Sequence, residues 1–269
     1  VSLTGSLNLL PQGGGAAPLG VAVAALRMPT LDARLDWAAE NGFAGVELLA
    51  TGEPWGVHTP GVTKDERARL RDKVARFARV AVMAPHQATW DVTLVSPSSA
   101  IRRASVSEIW SVCRFADAIG GAVVLVRSGT PPAGVPAAQA LSHLAECLTT
   151  LDRMAGDHNA RIGLLTADLL ADPSLLGSLS GLTLPNTGVA LDLTVVRPDD
   201  PRVAPLLARC SDGVVHVRVS GLDAPTRLTA PAAGMVCLAF NGGPSGTAPS
   251  PDEIARRRAE WSRYVVPRA

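Results

Sequence analysis

Short unbroken apolar runs alternate along this chain with longer stretches in which apolar residues recur every three or four positions. The runs are Gly20–Leu26, Phe43–Leu49, Val80–Ala84, Ala122–Val126, Arg161–Thr166, Thr187–Leu193, Gly213–Val219 and Met235–Phe240. Runs this short and apolar on both faces read as strands covered on both sides. The stretches between them read as helices. Thr30 opens one whose Leu31, Leu35 and Ala38 share a face, and Asn41-Gly42 ends it. Leu70, Val74 and Phe77 mark a second over 64–79, against a dense charged face. Val106, Ile109, Trp110, Cys113 and Ala116 form the inward stripe of a third, and Leu141, Leu144, Leu148 and Leu151 that of a fourth. Shorter helices are expected over 172–182 and 201–208. A final one is capped by Ser250 and Glu253, starts with Pro251 and turns Ile254 and Trp261 inward.

Eight strands alternating with helices over roughly 250 residues predict an α/β fold of the (β/α)8 TIM-barrel type. An open doubly wound sheet is the alternative, weakened because no strand is followed by a G-x-G-x-x-G or G-K-[ST] loop. Residues 1–19, with Gly13-Gly14-Gly15, read as an N-terminal lead-in, and 20–269 as one barrel domain.

Barrel active sites lie at the C-terminal strand ends. Those ends supply Glu47, His86, Asp91 and His216 as candidate acid/base groups, since proton abstraction beside a carbonyl needs a carboxylate or an imidazole within reach. Candidate ligand contacts are Trp55, Trp90, Arg127, Asp192, Arg218, Asn241, Gly242 and Gly243. Composition narrows the partners. A net charge of +1 gives no reason to expect nucleic acid or a membrane surface, and no apolar run reaches the ~18 residues that span a bilayer. No signal peptide is visible in this stretch of sequence. Cys113, Cys147, Cys210 and Cys237 are widely spaced within apolar patterns, as expected of buried free thiols in a reducing cytoplasm.

Several spaced motifs resemble those of the xylose-isomerase-like barrel superfamily, which holds sugar-phosphate isomerases and epimerases and the endonuclease-IV type of repair enzyme. Gly42-Phe43-Ala44-Gly45-Val46-Glu47-Leu48 resembles its GF-x-G-VE-L signature, and Val82-Met83-Ala84-Pro85 its vHaP strand end. Arg103–Gly129, Gly188–Asp192 and His216–Gly221 are similar to later motifs in the same order. The resemblance implies a sugar isomerase or epimerase holding a divalent metal with a Glu, an Asp, a His and a second Glu from strands five to eight.

Carried over residue by residue, Thr166 stands at the first Glu, Asp192 keeps the Asp and Arg218 replaces the His. No Glu lies near Phe240-Asn241, Val195 stands where a further His often follows the Asp, and Met83 and Arg127 replace two more histidines. One carboxylate does not hold a divalent cation. The expectation is therefore a site without metal or other cofactor, taking a small anionic or carbohydrate-like ligand, with oligomerisation left open. Two readings of the arginines stand: they bind an anionic ligand, or Arg127 pairs internally with Asp192 or Glu47 in an inactive barrel that serves as a ligand-binding or protein-interaction module.

Overall fold

Each apolar run folds into a strand, and each strand pairs in parallel with the next. The computed structural model describes residues 18–51, 56–57, 59–87, 91–172, 175, 178–179, 182–194, 214–220, 228–229, 235–240, 249–263 and 265–266. The strands are β1 (Leu19–Ala22), β2 (Gly45–Leu49), β3 (Arg79–Met83), β4 (Val123–Val126), β5 (Arg161–Leu165), β6 (Thr187–Asp192), β7 (Val214–Ser220) and β9 (Met235–Ala239). They close in the order β1-β2-β3-β4-β5-β6-β7-β9, with β9 back against β1. The fold is a TIM barrel. A further two-residue pair, β8 (Leu228–Thr229) with β10 (Val265–Val266), was not expected from the sequence. The lead-in up to residue 17, the helix at 201–208, most of 172–182, Cys210, Trp55, Trp90, Asn241, Gly242 and Gly243 lie outside the described residues.

Among the described residues, five α-helices pack outside the barrel: α1 (Leu31–Glu40), α2 (Lys64–Val74), α3 (Ser99–Ala118), α4 (Ala137–Gly156) and α5 (Pro251–Trp261). Their starts follow local chemistry. The Thr30 hydroxyl accepts from Ala33 N at 3.2 Å, Thr63 and Glu66 cap each other's backbone N–H, and the Ser250 hydroxyl accepts from Glu253 N at 3.2 Å. Ile254 and Trp261 are buried as expected.

Three details differ from the pattern reading. The second helix stops at Val74 instead of 79, because Arg79 must already pair with Gly45 and the chain needs residues 75–78 to turn back. The first strand ends at Ala22 and continues as a 3-10 turn, Val23–Ala25. Trp110 is half-buried, with the Arg114 guanidinium 5.3 Å from its ring; Val112 and Phe115 join Ile109, Cys113 and Ala116 in facing the sheet.

Two apolar layers result. The larger lies between strands and helices. The smaller fills the barrel interior and is built from small side chains and a few long ones: Ala22, Ala81, Leu125, Leu165, Ala190 and Met235 among them. Gly20 and Gly45 are glycine for a steric reason. A Cβ on either would collide with the Met235 sulfur, and on Gly45 it would also meet Arg79 O at 3.1 Å. Gly45→Ala should therefore cost about 1–3 kcal/mol by overpacking. In denaturant unfolding, Met235→Ala in the same chain should recover part of that cost, so that the two changes together cost less than their sum.

Candidate functional site

Inward-facing positions of β2, β6 and β7 carry Glu47, Asp192, His216 and Arg218 into this interior, with His216 the lowest of them along its strand. Several of their registered neighbours are small: Ala22 and Ala81 flank Glu47, Ala190 stands on one side of His216 with Met235 on the other, and Cys237 stands beside Arg218. The space left by these residues is filled by one guanidinium and two carboxylates. Arg218 Nε donates to Glu47 Oε1 and Oε2 at 3.1 and 3.0 Å, and Arg218 Nη1 donates to Asp192 Oδ2 at 2.9 Å. His216 Nε2 lies 3.1 Å from Glu47 Oε2 and is the donor to that ionised carboxylate. The second Asp192 oxygen accepts from Thr194 N at 3.1 Å and Thr194 Oγ1 at 2.5 Å. Asp192 N donates to Thr166 Oγ1 at 3.0 Å, which ties the end of β5 to the cluster.

Burial pushes the Glu47 carboxyl up, but the Arg218 guanidinium and then His216 outweigh it and hold it down at about 2. Arg218 feels the reverse balance: burial lowers its affinity for the proton, while Glu47 and Asp192 raise it further. The Cys237 thiol is driven well above its ordinary value by burial first and then by the Glu47 carboxylate, so it keeps its proton.

A second pair sits at the neighbouring strand ends. Arg127 Nε and Nη2 grip Asp168 in a fork, at 3.0 and 2.5 Å, and Gly129 N donates to the same carboxylate at 3.3 Å. Asp168 is held at φ 56°, a left-handed conformation that few residues other than glycine adopt. Gly129 has φ 85°, and a Cβ there would strike the Thr93 side chain, so this turn requires glycine. His86 is half-buried near this pair. Burial, then the Arg127 charge, lower its pKa; Asp168 opposes them, and Arg218 adds to the lowering.

Four of the sequence-derived candidates thus meet in one cluster: Glu47, His216, Asp192 and Arg218. Arg127 stands apart from them and pairs with Asp168, not with Asp192 or Glu47 as the pattern reading had considered, because the chain after β5 turns Asp168 back over the end of β4. Asp91 is exposed at φ 51°, and no described contact joins it to the cluster. The sequence reading gave no role to Thr194, Cys237 or the Asp168 fork. Asp168 was visible as a polar residue at a strand end; Cys237 was hidden in an all-apolar run.

Among the described residues, Glu47, His216 and Cys237 are the one trio of metal-ligand type whose donor atoms all lie within 4.8 Å of one another. Both Glu47 oxygens, however, already accept from Arg218. No helix among the described residues is long and apolar enough to cross a membrane.

Residues 35–168 match the family described as xylose isomerase-like TIM barrel. No curated protein matches the chain by sequence. Among solved structures, a D-tagatose 3-epimerase-like protein superposes with a TM-score of 0.70 at 15% identity, covering 92% of this chain and 96% of its own. A D-psicose 3-epimerase from Clostridium cellulolyticum H10, solved with D-tagatose, gives 0.71 at 13% identity, with 93% and 99% covered. A 3-keto-D-glucoside 4-epimerase from E. coli gives 0.65 at 13%, with 90% and 99% covered. At these identities the likeness is one of fold.

Arg218→Met should leave two buried carboxylates short of their cation and lower stability by about 3–5 kcal/mol in chemical denaturation. The acid limb of stability tests Glu47. Its folded pKa is depressed, so its contribution is full above the ordinary value of 4.5 and is lost as pH falls towards about 2. Thermal unfolding of Glu47→Gln should therefore lose less stability than the parent between those two pH values.

Proposed function

From a chain that is a xylose isomerase-like TIM barrel, we infer a sugar-handling role of the isomerase and epimerase type that works without a divalent ion. The observation that carries this reading is the Arg218 guanidinium bridging Glu47 and Asp192 in the barrel interior. It puts a permanent positive charge at the position where the family pattern implies a metal-binding histidine. The remaining residues do not fit a hard or borderline divalent cation. Asp192 spends its oxygens on Arg218 and Thr194, Thr166 offers only a hydroxyl, and both Glu47 oxygens already accept from Arg218.

The ligand class is a small carbohydrate-type molecule at the C-terminal mouth. Both arginines are already matched by carboxylates, so the mouth presents paired donors and acceptors to sugar hydroxyls in place of a free cationic socket. This modifies the expectation of an anionic ligand held by Arg127 and Arg218. The structural neighbours named for D-tagatose and D-psicose make ketohexoses the natural first probes.

For chemistry, Glu47 is a weak base because its proton affinity is so low. His86 is better suited. With its pKa lowered, it is neutral near pH 7 and able to accept a proton from a carbon beside a carbonyl. The suppressed basicity of Glu47 favours a second reading, in which the barrel binds sugar without turning it over. D-Fructose and D-tagatose should bind in calorimetric titrations in the presence of EDTA. Binding that appears only after Mn(II) or Co(II) is added would sink the metal-free reading. Solvent deuterium incorporation into the bound ketose, lost in His86→Ala while binding persists, separates the catalytic reading from the binding one.

A further inference from the structure

The opposite end of the barrel holds a cavity of about 450 Å³ at the N-terminal strand ends. Arg79 and Arg161 open β3 and β5, and both line it, together with Asn159, Asn186, His216 and Met235. Among the described residues that line it there is no aspartate or glutamate. Each arginine has its Nε shielded from solvent with no hydrogen-bond partner. Arg79 Nη1 donates to Ala78 O at 3.0 Å, and among the described residues neither guanidinium forms an ion pair. Burial lowers the pKa of both, the expected mark of a cation withdrawn from water without a counter-charge.

This contrasts with the C-terminal mouth, where Arg127 and Arg218 are both matched by carboxylates. A half-buried guanidinium with an unsatisfied Nε and no counter-charge is costly. Here two such groups line one open space. Only β4 separates β3 from β5, so their backbones are two strand spacings apart, about 10 Å, a gap two arginine side chains can close around a tetrahedral oxyanion.

We propose that this N-terminal mouth is a binding site for a phosphate group, gripped between Arg79 and Arg161. The planar forks of the two guanidiniums supply the donors, and the Asn159 amide lies on the same wall. A phosphate fills only part of the cavity. The remaining volume, bounded by Ala81, Val123 and Met235, accommodates the body of a small phosphorylated metabolite. Free inorganic phosphate and a phosphorylated sugar share the recognised chemistry. The site opens at the other end of the barrel from the proposed sugar site and shares with its cluster only the wall residue His216, so the phosphate assignment does not rest on the sugar reading.

Calorimetric titration of the full chain with inorganic phosphate, in phosphate-free buffer, tests the assignment. The parent protein should show one site, and Arg79→Gln and Arg161→Gln should each weaken it about tenfold, the worth of one charge-assisted hydrogen bond or fork. Both variants should melt no lower than the parent in phosphate-free buffer, since each removes an uncompensated charge, and both should lose the phosphate-induced rise in Tm. Should a glutamine variant unfold, Arg161→Lys keeps the charge, loses the fork and should still weaken phosphate. D-Fructose 6-phosphate binding tighter than phosphate through the same arginines assigns the cavity to an organic phosphate; equal affinity assigns it to the free ion. No saturable phosphate binding by the parent protein, or binding that both glutamine variants leave unchanged, overturns the proposal.

Discussion

The Arg218 guanidinium, set between Glu47 and Asp192, ties together strands far apart in the chain. Its two partners lie 171 and 26 residues away, on β2 and β6. Charged groups inside a barrel cost desolvation energy that their attraction only partly returns, and an apolar filling of the same volume is often at least as stable. Stability therefore does not explain the cluster. Every oxygen of the two carboxylates nevertheless accepts a hydrogen bond, which is the condition for tolerating it.

The rest of the interior is arranged to admit this cluster. Alanines at 22, 81 and 190 and Cys237 leave room beside Glu47, His216 and Arg218, while Met235, registered with His216, fills the space that Gly20 and Gly45 leave for its sulfur. Large and small residues thus complement one another across the interior. The same arrangement leaves the N-terminal mouth open beneath His216, with Arg79 and Arg161 at its rim.

The fold was legible because parallel strands covered on both faces leave unbroken apolar runs, and all eight were visible. The same property hid the interior: a run such as Met235–Phe240 does not reveal which alternate residues face inward, so Cys237 could not be placed beside Arg218. Glu47, Asp192, His216 and Arg218 stood out as polar residues in apolar strands. Their pairing did not, because it depends on how barrel closure sets β2 opposite β7. Arg127 shows the limit most clearly: its partner comes from a turn after β5, at a residue held at positive φ, which no local pattern marks. Helix ends were least legible. The stop at Val74 is dictated by the pairing of Arg79 with Gly45, a tertiary constraint that overrides the local helical pattern.

The central claim is that a fixed guanidinium occupies the place of a metal ion. Elemental analysis of the protein, purified without chelator and then equilibrated with Mn(II), Co(II) and Zn(II) before desalting, tests it most directly. The account predicts far less than one divalent ion per chain. A stoichiometric ion, bound at the Glu47–Asp192 cluster and displacing Arg218 from it, would contradict it.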